Sequence, residues 1–277
     1  MAVEMAVRAG TTSVNGASIY HEVRGSGPAI LMIPGAPGDA GWYAPAADLL
    51  AREFTVITYD RRGNSRSSAP AGWSATSIQE QADDAAALLR ALGLAPATIF
   101  GSSGGAIILL DLTARHPDAV RAAIAHDAPV VGALPREEAD AIAAEIQAQV
   151  AEGMASGGPR EGLRRFVDRY SRGAEASDPD LEERILGNAE VLFGIDLLPI
   201  VSYVPNVEAI RRSGVPVALL AGEESLRDLP EVAGPSRWLA EQLAADLREV
   251  PGGHWAVFDR PREFVEAIRP SLKGEGR

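Results

Sequence analysis

The stretch Ile99-Phe100-Gly101-Ser102-Ser103-Gly104-Gly105-Ala106 decides how the rest of the chain is read. It begins apolar and β-prone, passes through a dense glycine turn, and enters an apolar helix from Ala106 to Leu112. Ser103 stands at the centre of a G-x-S-x-G pattern. That pattern suits a strand-to-helix turn so tight that the serine backbone is strained and its hydroxyl pushed outward. Gly101 and Gly105 flank it where a Cβ would collide with a neighbouring element. Ser103 then stands at a helix N-terminus, where backbone N–H groups favour developing negative charge. Five residues alone also describe a plain glycine turn in another α/β protein. The order of elements around them carries the argument.

Upstream, Thr11–Val14, Asn15-Gly16 and Ala17–Val23 predict a β-hairpin with a type I′ turn. Ala29–Ile33 and Phe54–Tyr59 are continuous apolar runs, the mark of strands buried on both faces. A helix is predicted over Trp42–Arg52. Ser77-x-x-Glu80 is a capping box that opens a helix stopped by Gly93. Ala97–Phe100 delivers Ser103, and Val120–His126 is the next strand, followed by Asp127. From about 134 to 212 strand periodicity stops, and helical stripes such as Ile142, Ile146 and Val150 replace it. A mixed apolar stretch from Leu181 to Tyr203 breaks at Pro199. Strand pattern resumes at Val215–Ala221; a helix over Arg237–Leu243, a short strand ending at Val250, Gly252-Gly253-His254 and a last helix over Pro261–Ile268 follow. The expectation is an α/β fold: a mostly parallel, doubly wound sheet with an inserted helical cap. The core comprises 1–133 and 213–277, and the cap 134–212. Loops after the strands should gather on one sheet edge.

The 277 residues carry 26 Lys and Arg against 38 Asp and Glu, a net charge of −12. So acidic a surface disfavours nucleic acid and anionic membrane as partners, leaving a small-molecule substrate. The absence of Cys excludes disulfides and thiolate chemistry, and four His make a multi-His metal site unexpected. No metal or other cofactor is expected. No signal peptide is read at the N-terminus and no apolar run approaches membrane-spanning length, so the expected location is cytoplasmic. Oligomeric state is left open.

Taken in order, Pro34-Gly35-Ala36-Pro37-Gly38, Tyr59-Asp60-Arg61-Arg62-Gly63, the elbow at Ser103, a late acid and Gly252-Gly253-His254 resemble the α/β-hydrolase family over nearly the whole length. The resemblance implies a serine hydrolase, with nucleophile, acid and histidine in that chain order. Ser103 is then the nucleophile, which needs a base, and His254 the base, since imidazole titrates in the useful range. His21, His116 and His126 read as structural, with His126 facing away from Asp127.

The orienting acid has two candidates. Most of the family carries it three positions past a glycine after the strand matching Val215–Ala221. Counted from Gly222 that position is Ser225, which cannot serve. Glu224 is one residue early. Some relatives, such as certain haloalkane dehalogenases, place the acid one strand earlier, where Asp127 stands. Asp127 is favoured, Glu224 is second, and Glu223 reads as a solvated carboxylate.

By the same resemblance the oxyanion donors are the backbone N–H groups of Ala36 and Gly104. Ala36 precedes Pro37 and is biased toward extended geometry, which leaves its N–H free. Phe193, Leu197 and Tyr203 from the cap, with Trp42 and Trp255 from core loops, are candidates for lining the substrate pocket. Core packing accounts for such residues equally well. The expected activity is cleavage of a carboxylic ester or lactone of a small to medium apolar molecule through an acyl-Ser103 intermediate. Carbon–carbon bond hydrolysis and cofactor-free perhydrolysis use the same residues. A non-catalytic small-molecule binder is the alternative from another class.

Overall fold

The computed structural model describes residues 6–171 and 178–272. Eight strands form one sheet: β1 (Arg8–Val14), β2 (Ala17–Arg24), β3 (Ala29–Ile33), β4 (Thr55–Tyr59), β5 (Ala97–Ser102), β6 (Val120–His126), β7 (Val217–Gly222) and β8 (Leu247–Val250). Their spatial order is β1-β2-β4-β3-β5-β6-β7-β8. β1 and β2 pair antiparallel, β2 meets β4 antiparallel, and every pairing from β4 to β8 is parallel. The hairpin turns at Asn15 (φ 45°) and Gly16 (φ 79°), the two positive angles that a type I′ turn requires.

Alternation along the central strands splits the core in two. Leu31, Ile33 and Ile99 face the helices Ile78–Ala91 and Gly104–Arg115. Ile30, Met32 and Phe100 face the helices Ala44–Leu50 and Pro261–Leu272. This is the doubly wound arrangement that continuous apolar strands demand, since both faces must be covered. Ser77 caps the first of these helices by accepting the Glu80 N–H at 3.0 Å.

Some boundaries differ from the sequence expectation. The helix predicted over Trp42–Arg52 is a 3₁₀ turn, Ala40–Tyr43, followed by the helix Ala44–Leu50. Pro45 is the reason: it lacks an N–H and is tolerated only in the first turn. The helix predicted over Arg237–Leu243 starts earlier, at Pro230. Pro199 does not break the chain; it falls in the first turn of the helix Leu197–Ser202, where its missing N–H costs little.

Between β6 and β7 the described residues form helices joined by short loops, with no strand among them. The helix Arg136–Ser171 is broken at Gly157 and Gly158 (φ 76°), just before Pro159. Pro179–Gly187, a wide turn at Leu192–Asp196 and Leu197–Ser202 follow. The final helix of the block, Val207–Ser213, packs on Gly104–Arg115, and its Ile210 enters the main core. That end of the predicted 134–212 insertion therefore belongs to the core layer.

Pro179–Ser202 is long and apolar enough, by length and composition, to cross a membrane. This corrects the expectation that no apolar stretch reaches such length; Asp180, Glu182, Glu183, Arg184, Glu190 and Asp196 interrupt the segment and hide it from a search for an unbroken apolar run. Here the segment is pinned to the core. Asp196 is buried and pairs with buried Arg61 at 2.9 Å.

Candidate active site

The sheet register brings the functional loops to one edge. Ser102 pairs with His126, His126 with Leu220, and Gly222 with Val250. Ser103 follows β5 at φ 57°, ψ −129° and leads into the helix Gly104–Arg115. Such a backbone is strained for a residue with a Cβ, and the neighbours hold it there. The Ser103 N–H donates to His126 O at 3.0 Å. A Cβ on Gly101 would stand 2.3 Å from Gly105 O, and one on Gly105 would stand 2.1 Å from Ile33 O. Both glycines are required by close approach of backbone.

Asp127 follows β6, and its φ of 47° turns the chain out of the strand. Its Oδ2 lies 2.9 Å from His254 Nδ1 and accepts the Ser225 hydroxyl at 2.6 Å; Oδ1 accepts the Gly222 N–H at 3.0 Å. Of the two candidate acids, the structure therefore brings Asp127 to His254. Glu224 is placed elsewhere: its N–H donates to Gly252 O at 3.0 Å and its Oε1 accepts from Arg260 Nη2 at 3.1 Å. Ser225, which occupies the usual acid position, donates to the acid instead.

The turn at Asp127 also corrects the reading of His126. Strand alternation would send its ring away from Asp127, but the alternation ends at the positive φ. His126 Nε2 lies 3.7 Å from Asp127 Oδ2, and Nδ1 is 2.9 Å from Ser102 Oγ. Burial pushes His126 below the usual imidazole range, although Asp127 pulls the other way. Burial also works to raise the Asp127 carboxyl; His126, His254 and the Ser225 hydroxyl outweigh it and bring it down to about 2. Because burial keeps His126 neutral near pH 7, the direct donors on Asp127 carry that direction there.

The loop that carries Ala36, a candidate oxyanion donor, is held in place from two sides. Gly38 N–H closes the loop onto Gly35 O at 3.0 Å, and Arg61 Nη2 holds Ala36 O at 3.0 Å. A Cβ on Gly104 would lie 3.7 Å from Ala36 N, so the two backbone groups flank one small space. Among the described residues, neither N–H donates to a protein acceptor.

Residues 28–261 match the sequence profile of the alpha/beta hydrolase fold. The chain belongs to that family. Among relatives of this alpha/beta hydrolase, YraK of Bacillus subtilis, an uncharacterised hydrolase, is 34% identical over 274 residues, covering 98% of each chain. A zearalenone hydrolase of Cladophialophora bantiana is 25% identical over 268 residues, 92% of each. Two solved structures share the fold at low identity. The enol-lactonase of Burkholderia xenovorans LB400 has a TM-score of 0.72 at 20% identity, covering 95% of this chain and 100% of that one. A carboxylesterase structure from the thaumarchaeon Nitrososphaera gargenis has 0.75 at 21%, covering 97% and 98%.

In this alpha/beta hydrolase, Ser103 and His254 line the same two small cavities, of about 50 and 40 Å³. Trp42 and Trp255 wall the first, their rings 3.9 Å apart in a T-shaped pair. Leu197 walls the second, with Val131, Ile146 and Val201. These four residues also face an outer cavity of about 680 Å³. Phe193 lines only that outer cavity, not the space around Ser103. Tyr203 lines none of these cavities; its hydroxyl turns to the core and donates to Asp111 Oδ1 at 3.0 Å. Phe166, Tyr170 and Glu231 line the cavities that hold Ser103 and His254 and were not singled out from the sequence as lining. Leu163, Phe166 and Val167 are spaced as one face of a helix, but nothing local shows what that face would meet.

Proposed function

We propose that this hydrolase cleaves carboxylic esters or lactones of small to medium apolar molecules through an acyl-Ser103 intermediate. The observation that carries the reading is the strained serine sharing a cavity with a histidine whose Nδ1 is held by a buried carboxylate at 2.9 Å. With Nδ1 committed to Asp127, Nε2 is the nitrogen left to take a proton. His254 takes the Ser103 proton as Oγ bonds to the substrate carbonyl carbon. The Ala36 and Gly104 N–H groups receive the charge on the carbonyl oxygen. His254 then returns the proton to the leaving alcohol, and the ester C–O bond breaks. Water, deprotonated by His254, attacks the acyl-serine; the acid leaves and Ser103 regains its proton.

The lining supports the substrate class. Trp42, Trp255, Phe166, Val257 and Phe258 give the first cavity an apolar wall. Apolar walls with few polar groups bind apolar ligands and orient them at those groups. A lactone among the substrates is in keeping with the relative named a zearalenone hydrolase only at the level of bond hydrolysis. The test is a fluorophosphonate reagent. Rapid, saturable labelling at Ser103, lost in Ser103→Ala together with ester turnover, is expected. A wild-type protein that is neither labelled nor active on any ester or lactone of a graded series would support the binding-protein alternative.

A further inference from the structure

Glu231 is a buried carboxylate that the reaction above does not use. It stands in the first turn of the helix Pro230–Leu243 in the core, and its side chain is 5% exposed. Its Oε1 is saturated: it accepts from Arg169 Nε at 3.1 Å, from Arg169 Nη2 at 2.9 Å and from the Tyr170 hydroxyl at 3.0 Å. Both donors come from the cap helix Arg136–Ser171. The other oxygen, Oε2, accepts no donor among the described residues and is not among the sealed, unpaired polar atoms. Glu231 lines the inner cavity together with Ser103 and His254, and the remaining wall there is mostly apolar.

We propose that Glu231 Oε2 receives a hydrogen-bond donor on the substrate, so that the enzyme selects apolar esters or lactones bearing a hydroxyl group remote from the scissile carbonyl. The assignment deepens the serine-hydrolase reading and rests on it. A buried carboxylate oxygen without a donor is unfavourable, and a substrate O–H supplies what is missing. Arg169 balances the charge, so the bond is a charge-assisted one rather than a neutral contact. An acceptor-only group at the same place, an ether or a ketone, meets the carboxylate with no proton between them and is disfavoured.

The geometry also fixes what Glu231→Gln should do. The three donors on Oε1 require an oxygen there, so the carboxamide NH₂ takes the place of Oε2. An acceptor in the cavity becomes a donor. Ester pairs of graded acyl length, differing only in a terminal hydroxyl or methoxy group, read this out. Wild type should prefer the hydroxyl member by about tenfold or more in kcat/KM, chiefly through KM, at the length that reaches Oε2. In Glu231→Gln that ratio should fall by at least about tenfold. Titration of the pairs into Ser103→Ala, where no turnover occurs, gives the same preference as an affinity ratio and does not depend on the Glu231 variant folding. Equal binding of the hydroxyl and methoxy members throughout the series in Ser103→Ala overturns the proposal, as does an unchanged ratio in a folded Glu231→Gln. Wild-type turnover of p-nitrophenyl acetate separates the two failures: activity there without hydroxyl preference leaves the serine hydrolase standing and removes only the role of Glu231.

Discussion

Asp127 Oδ2 and His254 Nδ1 lie 2.9 Å apart, although 127 positions separate the two residues in the chain. In the reaction proposed above, a carboxylate so placed would fix the imidazole tautomer and stabilise the imidazolium formed as Ser103 gives up its proton. Asp127→Asn should therefore lower kcat by about 10³- to 10⁴-fold while the protein stays folded. Glu224, held by Arg260, has no such part, and Glu224→Gln should keep kcat within about threefold of wild type, since exposed ion pairs contribute little. Steady-state kinetics on one ester checks both. Comparable losses in the two variants would return the acid to an open question.

The elbow should be intolerant of a single methyl group. In Gly105→Ala the new Cβ would meet Ile33 O at 2.1 Å, and that oxygen belongs to the central strand β3. Backbone of a buried strand cannot retreat as a flexible side chain can. The cost should exceed about 4 kcal/mol, enough to remove most of the stability of an ordinary domain. The expected result is insoluble or unfolded protein, read by expression and circular dichroism. A folded Gly105→Ala with a wild-type melting curve would mean that the β5 turn is not where the structure has it.

Much of this arrangement was legible beforehand because it rests on local patterns. The apolar runs at Ala29–Ile33 and Phe54–Tyr59 need two covered faces, and G-x-S-x-G needs a sharp bend. What stayed unreadable depends on distant pairs. The choice between Asp127 and Glu224 turns on which side chain reaches His254, and the backbone at Asp127 enters the left-handed region without a glycine to announce it. Tyr203 looked like pocket lining because it is large and aromatic, yet Asp111 on the helix Gly104–Arg115 claims its hydroxyl. Helical stripes in the cap told which face is apolar, not that Tyr170 would sit 5.1 Å from the His254 ring.

The helical block between β6 and β7 is tied to the core by a buried charge pair. Arg61 Nη1 and Asp196 Oδ2 lie 2.9 Å apart with almost no exposure, and Gln81 and Asn64 add hydrogen bonds to the same carboxylate. Removing one partner leaves the other charge buried and alone. Asp196→Ala should cost about 3 to 5 kcal/mol in urea denaturation. The same arginine holds Ala36 O, so ester turnover should fall as well. The double variant Arg61→Met with Asp196→Leu should recover much of the stability but not the turnover, since apolar replacement of a buried pair is often near neutral. Full recovery of both would show that Arg61 does nothing for the oxyanion loop.

Acid should destabilise the protein in two steps, and the first belongs to His126. Its ring is sealed, packed 5.1 Å from Phe264, and burial holds its pKa below the ordinary value. In the unfolded chain an imidazole takes up a proton as pH falls through about 6.5. The folded chain resists that proton, so the unfolded state binds more of them and stability falls with pH. The contribution of neutral His126 is thus complete above about pH 6.5 and is lost on descending from there toward its lower folded value. Asp127 gives the second step. Its carboxyl stands at about 2 in the folded protein, so its contribution is present above about pH 4 and is lost as pH falls toward 2. That second step is on the order of 2 kcal/mol. Denaturation midpoints followed from about pH 7 down to about 2 should show both in wild type. His126→Asn keeps an amide that can bond the Ser102 hydroxyl as donor or acceptor and removes the titrating ring; it should flatten the upper step and leave the lower one. An identical slope between about pH 7 and 5 in the two proteins would mean that another group takes up the proton.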